Sequence, residues 1–253
     1  MPPRTVFTEE MKQLNSEIVH MGEMAKEAVR DGVQAFLAED VGLRDEVARL
    51  DKEIYRQDQL IEKHCLDIIA LHQPVAVDLR TVSTVLKVIT DLNRIGRYGR
   101  DIAELATRDG GNGRRFRKLV AVPLMAEVSM SMVTDAIDSF VERDDKKALA
   151  LFRRDDEVDG LWDSIFRESL THMMEDPRSI GIGTSYILVA RYLERIADHA
   201  CNIGDRVIFL STGVRMDPYE RKQRKGTEPL EAREQPGRAT PTDGYYSMNL
   251  DEK

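Results

Sequence analysis

Two carboxylates four residues apart, Glu194 and Asp198, stand in the stretch Tyr192–Gly204, which reads YLERIADHACNIG. Side chains four apart on a helix share a face, so the pair projects together from an otherwise apolar helical pattern. A second pair at the same spacing, Asp155 and Asp159, lies upstream in RRDDEVDGLW. Carboxylates this close repel each other unless a cation, an arginine or a proton comes between them. Four of them from two neighbouring helices would make a hard-oxygen site for iron, manganese, magnesium or calcium, not a soft thiolate site. Such pairs are also common on solvated helix faces, and Arg191 or Arg195 could neutralise them.

Other chemistry has little to draw on. The histidines His20, His64, His72, His172 and His199 show no H-x-x-x-H spacing. Ala197 stands where the histidine of an E-x-x-H di-iron motif would be. There is no G-x-S-x-G, P-loop or dinucleotide fingerprint. The expectation is a protein that is not an enzyme; the alternative is a carboxylate-bridged metalloprotein with redox or hydrolytic activity. Met125, Met130, Met132, Met173 and Met174 read as core filler.

The elements that position the carboxylates are themselves repeated. Asp91–Ala103, DLNRIGRYGRDIA, aligns without gaps on Tyr192–Gly204, matching Leu92 with Leu193, Arg94 with Arg195, Ile95 with Ile196 and Ile102 with Ile203. Self-similarity at this spacing means two copies of one structural unit. The copies differ at the acidic positions, where Asn93 faces Glu194 and Arg97 faces Asp198. Asp51 takes the place of Asp155, and Tyr55 that of Asp159. Arg97 would put a fixed positive charge where a metal should sit. The first copy is therefore expected to hold no metal, and Asp51 to pair with Arg97.

Periodicity predicts an all-α chain. Leu14, Ile18, Met21, Ala25, Ala28 and Ala35 mark a helix from a Thr8 cap to about Ala38, and a second runs from about Leu43 to Leu71. Pro74 opens a third, carrying Val85, Val88, Leu92, Ile95, Gly99, Ile102 and Ala106 at the alternating three-and-four intervals of bundle packing. After the linker Asp109–Gly113 the pattern returns, with helices over about Phe116–Val141 and Lys146–Met174, then a sixth opened by Asp176-Pro177. The last helix pairs antiparallel with its predecessor across a short turn, which would bring the two acidic pairs to the same height. The architecture is two tandem three-helix bundles, residues 1–109 and 114–213, followed by a disordered tail over 214–253. Tyr245-Tyr246 is a candidate docking point within that tail.

Bulk properties agree. Nine prolines and sixteen glycines are too few for a sandwich or barrel of this length. The net charge of −8 argues against nucleic acid as partner, though not against a local basic patch. Cys65 and Cys201 fit thiols of a reducing compartment better than a disulfide framework. With no apolar leader and no long apolar run, the expectation is a cytoplasmic protein that meets membranes only through partners.

YLERIADHACNIGD resembles the E-R-I-G/A-D-H/R-x-x-N-I-x-E signature of the PhoU family, regulators that accompany the phosphate-specific ABC transporter. LHQPVAVDLR resembles that family's Q-P-x-A-x-D-L-R turn, and LTHMMEDPRSI the segment before its last helix. The resemblance spans about Thr8 to Gly213. It implies tandem three-helix bundles, a homodimer or higher oligomer, and metal ligands that fall on Asp155, Asp159, Glu194 and Asp198. It also implies a negative regulator of phosphate uptake and phosphate-starvation signalling, an adaptor between the transporter's ATPase subunit and a sensor histidine kinase. A PhoU-like paralogue regulating another transporter is the variant reading.

Overall fold

The structure is a computed structural model, and it describes residues 4–107 and 121–215. The Asp109–Gly113 linker, the expected start of the fourth helix at Phe116, Tyr245-Tyr246 and all but the first two residues of the 214–253 tail lie outside the described residues.

Six α-helices account for the described residues, with two short 3-10 turns. They are α1 (Arg4–Ala38), α2 (Val41–His72), α3 (Ala76–Glu104), α4 (Ala121–Glu142), α5 (Asp145–Glu175) and α6 (Ile180–Thr212). The helices α1, α2 and α3 pack on one another, as do α4, α5 and α6. The two bundles meet where α3 lies against α6 and α1 against α4. Every member of the apolar series read on α3 is buried, as are Val189, Leu193, Ile196, Ala200, Ile203, Val207 and Leu210 on α6. Each fully buried aliphatic side chain contributes roughly 1.5–3 kcal/mol over an exposed one, which is why these two stripes fix the fold.

Side-chain caps set two of the helix starts. Asp40 Oδ1 accepts from the Leu43 amide at 3.0 Å, and Asp144 Oδ1 accepts from the Lys146 and Lys147 amides. Each satisfies a donor that the first turn leaves without a partner. The expected Thr8 cap is not used, because α1 already runs from Arg4. Pro74 and Pro177 precede their helices rather than opening them: α3 starts at Ala76, and Pro177–Ser179 is a separate 3-10 turn before α6. Gly213, at φ 73°, ends α6 in the left-handed conformation that glycine adopts without strain.

The methionines split. Met125 and Met132 are fully buried, but Met174 is 84% exposed at the end of α5 and is not core. Neither cysteine is in a disulfide. Burial first, and then the charges of Glu17 and Glu62, push the Cys65 thiol up to about 12, so it stays protonated and inert. Among the described residues no helix is long and apolar enough to cross a membrane.

Candidate functional site

The register of α5 on α6 decides where the carboxylates fall. A Cβ on Gly183 would meet the Met173 side chain, and one on Gly204 would meet Leu151 and the Ala148 backbone. Between these two contacts the antiparallel register sets Asp155 level with Cys201, Asp159 within one residue of Asp198, and Glu194 level with Trp162. The two acidic pairs overlap in height but are staggered. Asp155 and Glu194 stand about 10 Å apart along the helix axes at 1.5 Å per residue.

Exposure differs as much as height. Asp155 is buried, Asp159 is exposed, and Glu194 and Asp198 are intermediate. Arg191 Nη1 donates to Glu194 Oε2, and Arg195 Nη1 donates to Asp198 Oδ2 at 3.3 Å. Of the two readings the sequence left open, the α6 carboxylates here adopt neutralisation by their own arginines. Among the described residues, no three His, Cys, Asp or Glu side chains lie close enough to hold a metal ion. The donors are chemically right for a hard cation, but in this arrangement they do not form a cage.

The first bundle uses the same positions differently. Arg100 Nη1 donates to Asp51 Oδ2 at 3.2 Å and Nη2 to Asp101 Oδ1 at 2.7 Å, while Nε lies 3.3 Å from Glu104 Oε1. Burial pulls this guanidinium down, but Asp101, Asp51 and Glu104 together hold it above its ordinary value. Arg97, the expected partner of Asp51, is exposed instead. One helical turn separates the two arginines, and the α2–α3 register puts the later one opposite Asp51. Lower on the same interface Asn93 Nδ2 donates to Asp58 Oδ2 at 3.2 Å. Burial pushes the Asp58 carboxyl up, this hydrogen bond opposes it, and Glu62 adds to it.

The two bundles are joined by a seam that lies outside the carboxylate pattern. His199 Nδ1 and Asp91 Oδ1 are 2.7 Å apart across α6 and α3. Tyr98 stacks on Tyr192 with ring centroids 5.7 Å apart, and Tyr98 meets the His199 ring at 5.8 Å. In the repeat alignment Asp91 corresponds to Tyr192, and Tyr98 to His199. The Asp91–His199 and Tyr192–Tyr98 contacts are therefore the same contact seen from the two halves. A pseudo-two-fold axis passes between Tyr98 and His199, the geometry of an isologous interface built within one chain. The gapless alignment already contained this signal. Elsewhere, an open groove of about 380 Å³ lies between α1 and α4, with Val33, Leu37, Ala126 and Met130 in its wall and Arg30 and Glu127 among its polar lining residues.

The PhoU domain family matches this chain twice, over residues 18–106 and 122–207. The chain belongs to the PhoU family. Each match covers one of the two bundles. The "Phosphate-specific transport system accessory protein PhoU homolog" of Clostridium acetobutylicum is 35% identical over 216 residues, spanning 85% of this chain and 98% of the relative. The homologue of the same description from Deinococcus radiodurans is 40% identical over 186 residues, spanning 72% of this chain and 85% of its own length. Two solved structures share the architecture. PhoU from Pseudomonas aeruginosa superposes with a TM-score of 0.77 at 35% identity, covering 82% of this chain and 100% of that one. The phosphate transport system regulatory protein PhoU from Streptococcus pneumoniae gives 0.76 at 26% identity, covering 83% and 99%. These PhoU comparisons agree with the all-α tandem three-helix architecture read from the apolar periodicity.

Proposed function

We propose that this PhoU-family protein is a negative regulator of phosphate uptake and of phosphate-starvation signalling. It acts by protein–protein contact, as a cytoplasmic adaptor between the ATPase subunit of a phosphate ABC transporter and a sensor histidine kinase, and it works as a homodimer. The observation that carries this reading is the PhoU match over both bundles, with relatives spanning nearly the whole helical region and described as accessory to a phosphate-specific transport system. The site chemistry is compatible: Glu194 and Asp198 are engaged by arginines and the seam is a packing contact, which suits recognition better than turnover. Deleting the protein is expected to switch on phosphate-scavenging functions in phosphate-rich medium. Unchanged repression in the deletion strain would refute the regulator reading.

A second proposal concerns the acidic quartet. Asp159 and Asp198 stand nearly level on facing helices, and partly exposed ion pairs such as Arg195–Asp198 are worth only about 0–1 kcal/mol. A rotamer change that releases Glu194 and Asp198 would let iron, manganese or magnesium bind between α5 and α6, with a structural or modulatory role. Protein purified without an affinity tag is expected to carry such a metal, and Glu194→Ala/Asp198→Ala to lose it. Metal-free wild type from metal-replete cells would leave the quartet a solvated or arginine-paired face.

A further inference from the structure

The helix α3 packs against α1, α2 and α6, so only one narrow stripe of it meets solvent. The exposed residues along it are Ser83, Lys87, Thr90, Arg94 and Arg97, at intervals of four and three. Between Ser83 and Arg97 the stripe contains no carboxylate. Past Arg97 the same face reaches Asp101 and Glu104, both held by Arg100, and Asp91 beside it is turned into the seam against His199. Lys87, Arg94 and Arg97 make no ion pair among the described residues, whereas Arg100, Arg191 and Arg195 on the same two helices are each engaged by carboxylates. Three uncompensated cations in a row are unusual on a chain of net charge −8.

The repeat sharpens the point. Arg94 and Arg195 are equivalent positions flanking the seam, but Arg97 corresponds to Asp198 and Asn93 to Glu194. Lys87 and Thr90 correspond to Leu188 and Arg191, so this face carries unpaired cations over the first bundle, whereas over the second each of its arginines is paired with an acid. From Lys87 to Arg97 the cations extend about 15 Å, at 1.5 Å of rise per residue. Tyr55, 47% exposed on α2, lies almost level with Arg97 and offers an aromatic flank. Arginine and tyrosine beside one another are favoured in recognition surfaces.

We propose that this stripe is the docking surface for an acidic helical segment of a partner protein, with carboxylates at helical spacing laid along α3. The elongated row of separate charges matches an acidic helix better than a compact anion, which needs donors converging on one point. The inference rests on the contact-based function above and names the kind of segment contacted.

The probe is a fluorescein-labelled helical peptide of about fifteen residues, made of glutamate and alanine, with a lysine-for-glutamate twin, read by anisotropy in about 50 mM salt so that screening stays weak. The acidic peptide is expected to bind and its basic twin not. Arg94→Glu/Arg97→Glu should weaken binding about ten-fold or more. Lys12→Glu/Arg167→Glu, an equal charge change at exposed positions on α1 and α5, should leave it nearly unchanged. No binding of the acidic peptide, or equal weakening by both double variants, would overturn the proposal. Displacement by inorganic phosphate alone would reassign the stripe to small anions and overturn it too. So would self-association abolished by Arg94→Glu/Arg97→Glu, since the occupant would then be a second copy of this chain. The deletion phenotype is measured separately, so failure here beside derepression there removes the docking surface and leaves the regulator standing.

Discussion

Gly99→Ala is expected to destabilise the protein by about 3 kcal/mol, at the upper end of overpacking substitutions. A Cβ at Gly99 would sit 2.5 Å from the Ala28 carbonyl carbon and oxygen and 2.7 Å from the Val29 nitrogen. Those are backbone atoms of α1, which cannot swing aside as a side chain can. From the other helix, a Cβ at Gly32 would come within 2.2 Å of the Gly99 oxygen. The helices α1 and α3 therefore touch backbone to backbone through a pair of glycines, and one methyl group must push them apart. Gly96→Ala is the informative comparison, because its Cβ would meet the Ile54 side chain at 2.5 Å, which can change rotamer. Gly160→Ala is the control in the opposite direction. Its Cβ meets nothing within 4 Å, so helix propensity alone should stabilise by about 1 kcal/mol. Urea unfolding of the three variants checks the series, and a Gly99→Ala loss no larger than that of Gly96→Ala would show that the helices separate without cost.

Arg100→Leu is expected to cost about 3 kcal/mol. The Asp51 side chain is only 8% exposed and takes its one described counter-charge from Arg100. Removing one partner of a buried ion pair leaves the other charge without compensation and typically costs 3–5 kcal/mol. Arg100 is itself 29% exposed, which places the expectation at the lower end of that range. The double variant Arg100→Leu/Asp51→Leu should recover most of the loss, because two packed apolar side chains can replace a buried pair at little net cost. A double variant as unstable as the sum of the two single changes would mean that the residues act independently and that the pair has no coupling energy. In the second bundle Cys201 stands at the place of Arg100, so the three-helix unit can be built without this guanidinium.

The apolar stripes were legible because burial imposes a period that survives in the letters alone: Val85 to Ala106 and Val189 to Leu210 are buried throughout. Polar pairing was less legible. Choosing Arg97 or Arg100 as the partner of Asp51 requires the register of α2 on α3 to within one turn, and the sequence carries no marker that precise. The choice between a cation and an arginine for Glu194 and Asp198 is one of side-chain rotamers, made after the backbone is fixed. Helix starts at Thr8, Pro74 and Pro177 were displaced by a few residues, since a cap residue marks where a helix can begin and not where it does. His199 has no ligand spacing within its own helix to mark it. Its partner, Asp91, lies in the other repeat, and only a comparison of the two halves brings them together.

The pseudo-two-fold seam has a consequence for how the molecule can be read by others. Two identical subunits meeting at such an axis must carry the same residue on both sides, so a partner could lie across them in either of two equivalent directions. Joining the halves in one chain lifts that constraint, and Arg97 on one side of the axis now answers to Asp198 on the other. The helical frame keeps the twofold shape while its charge has a head and a tail. A segment laid across this face would be told which way to run.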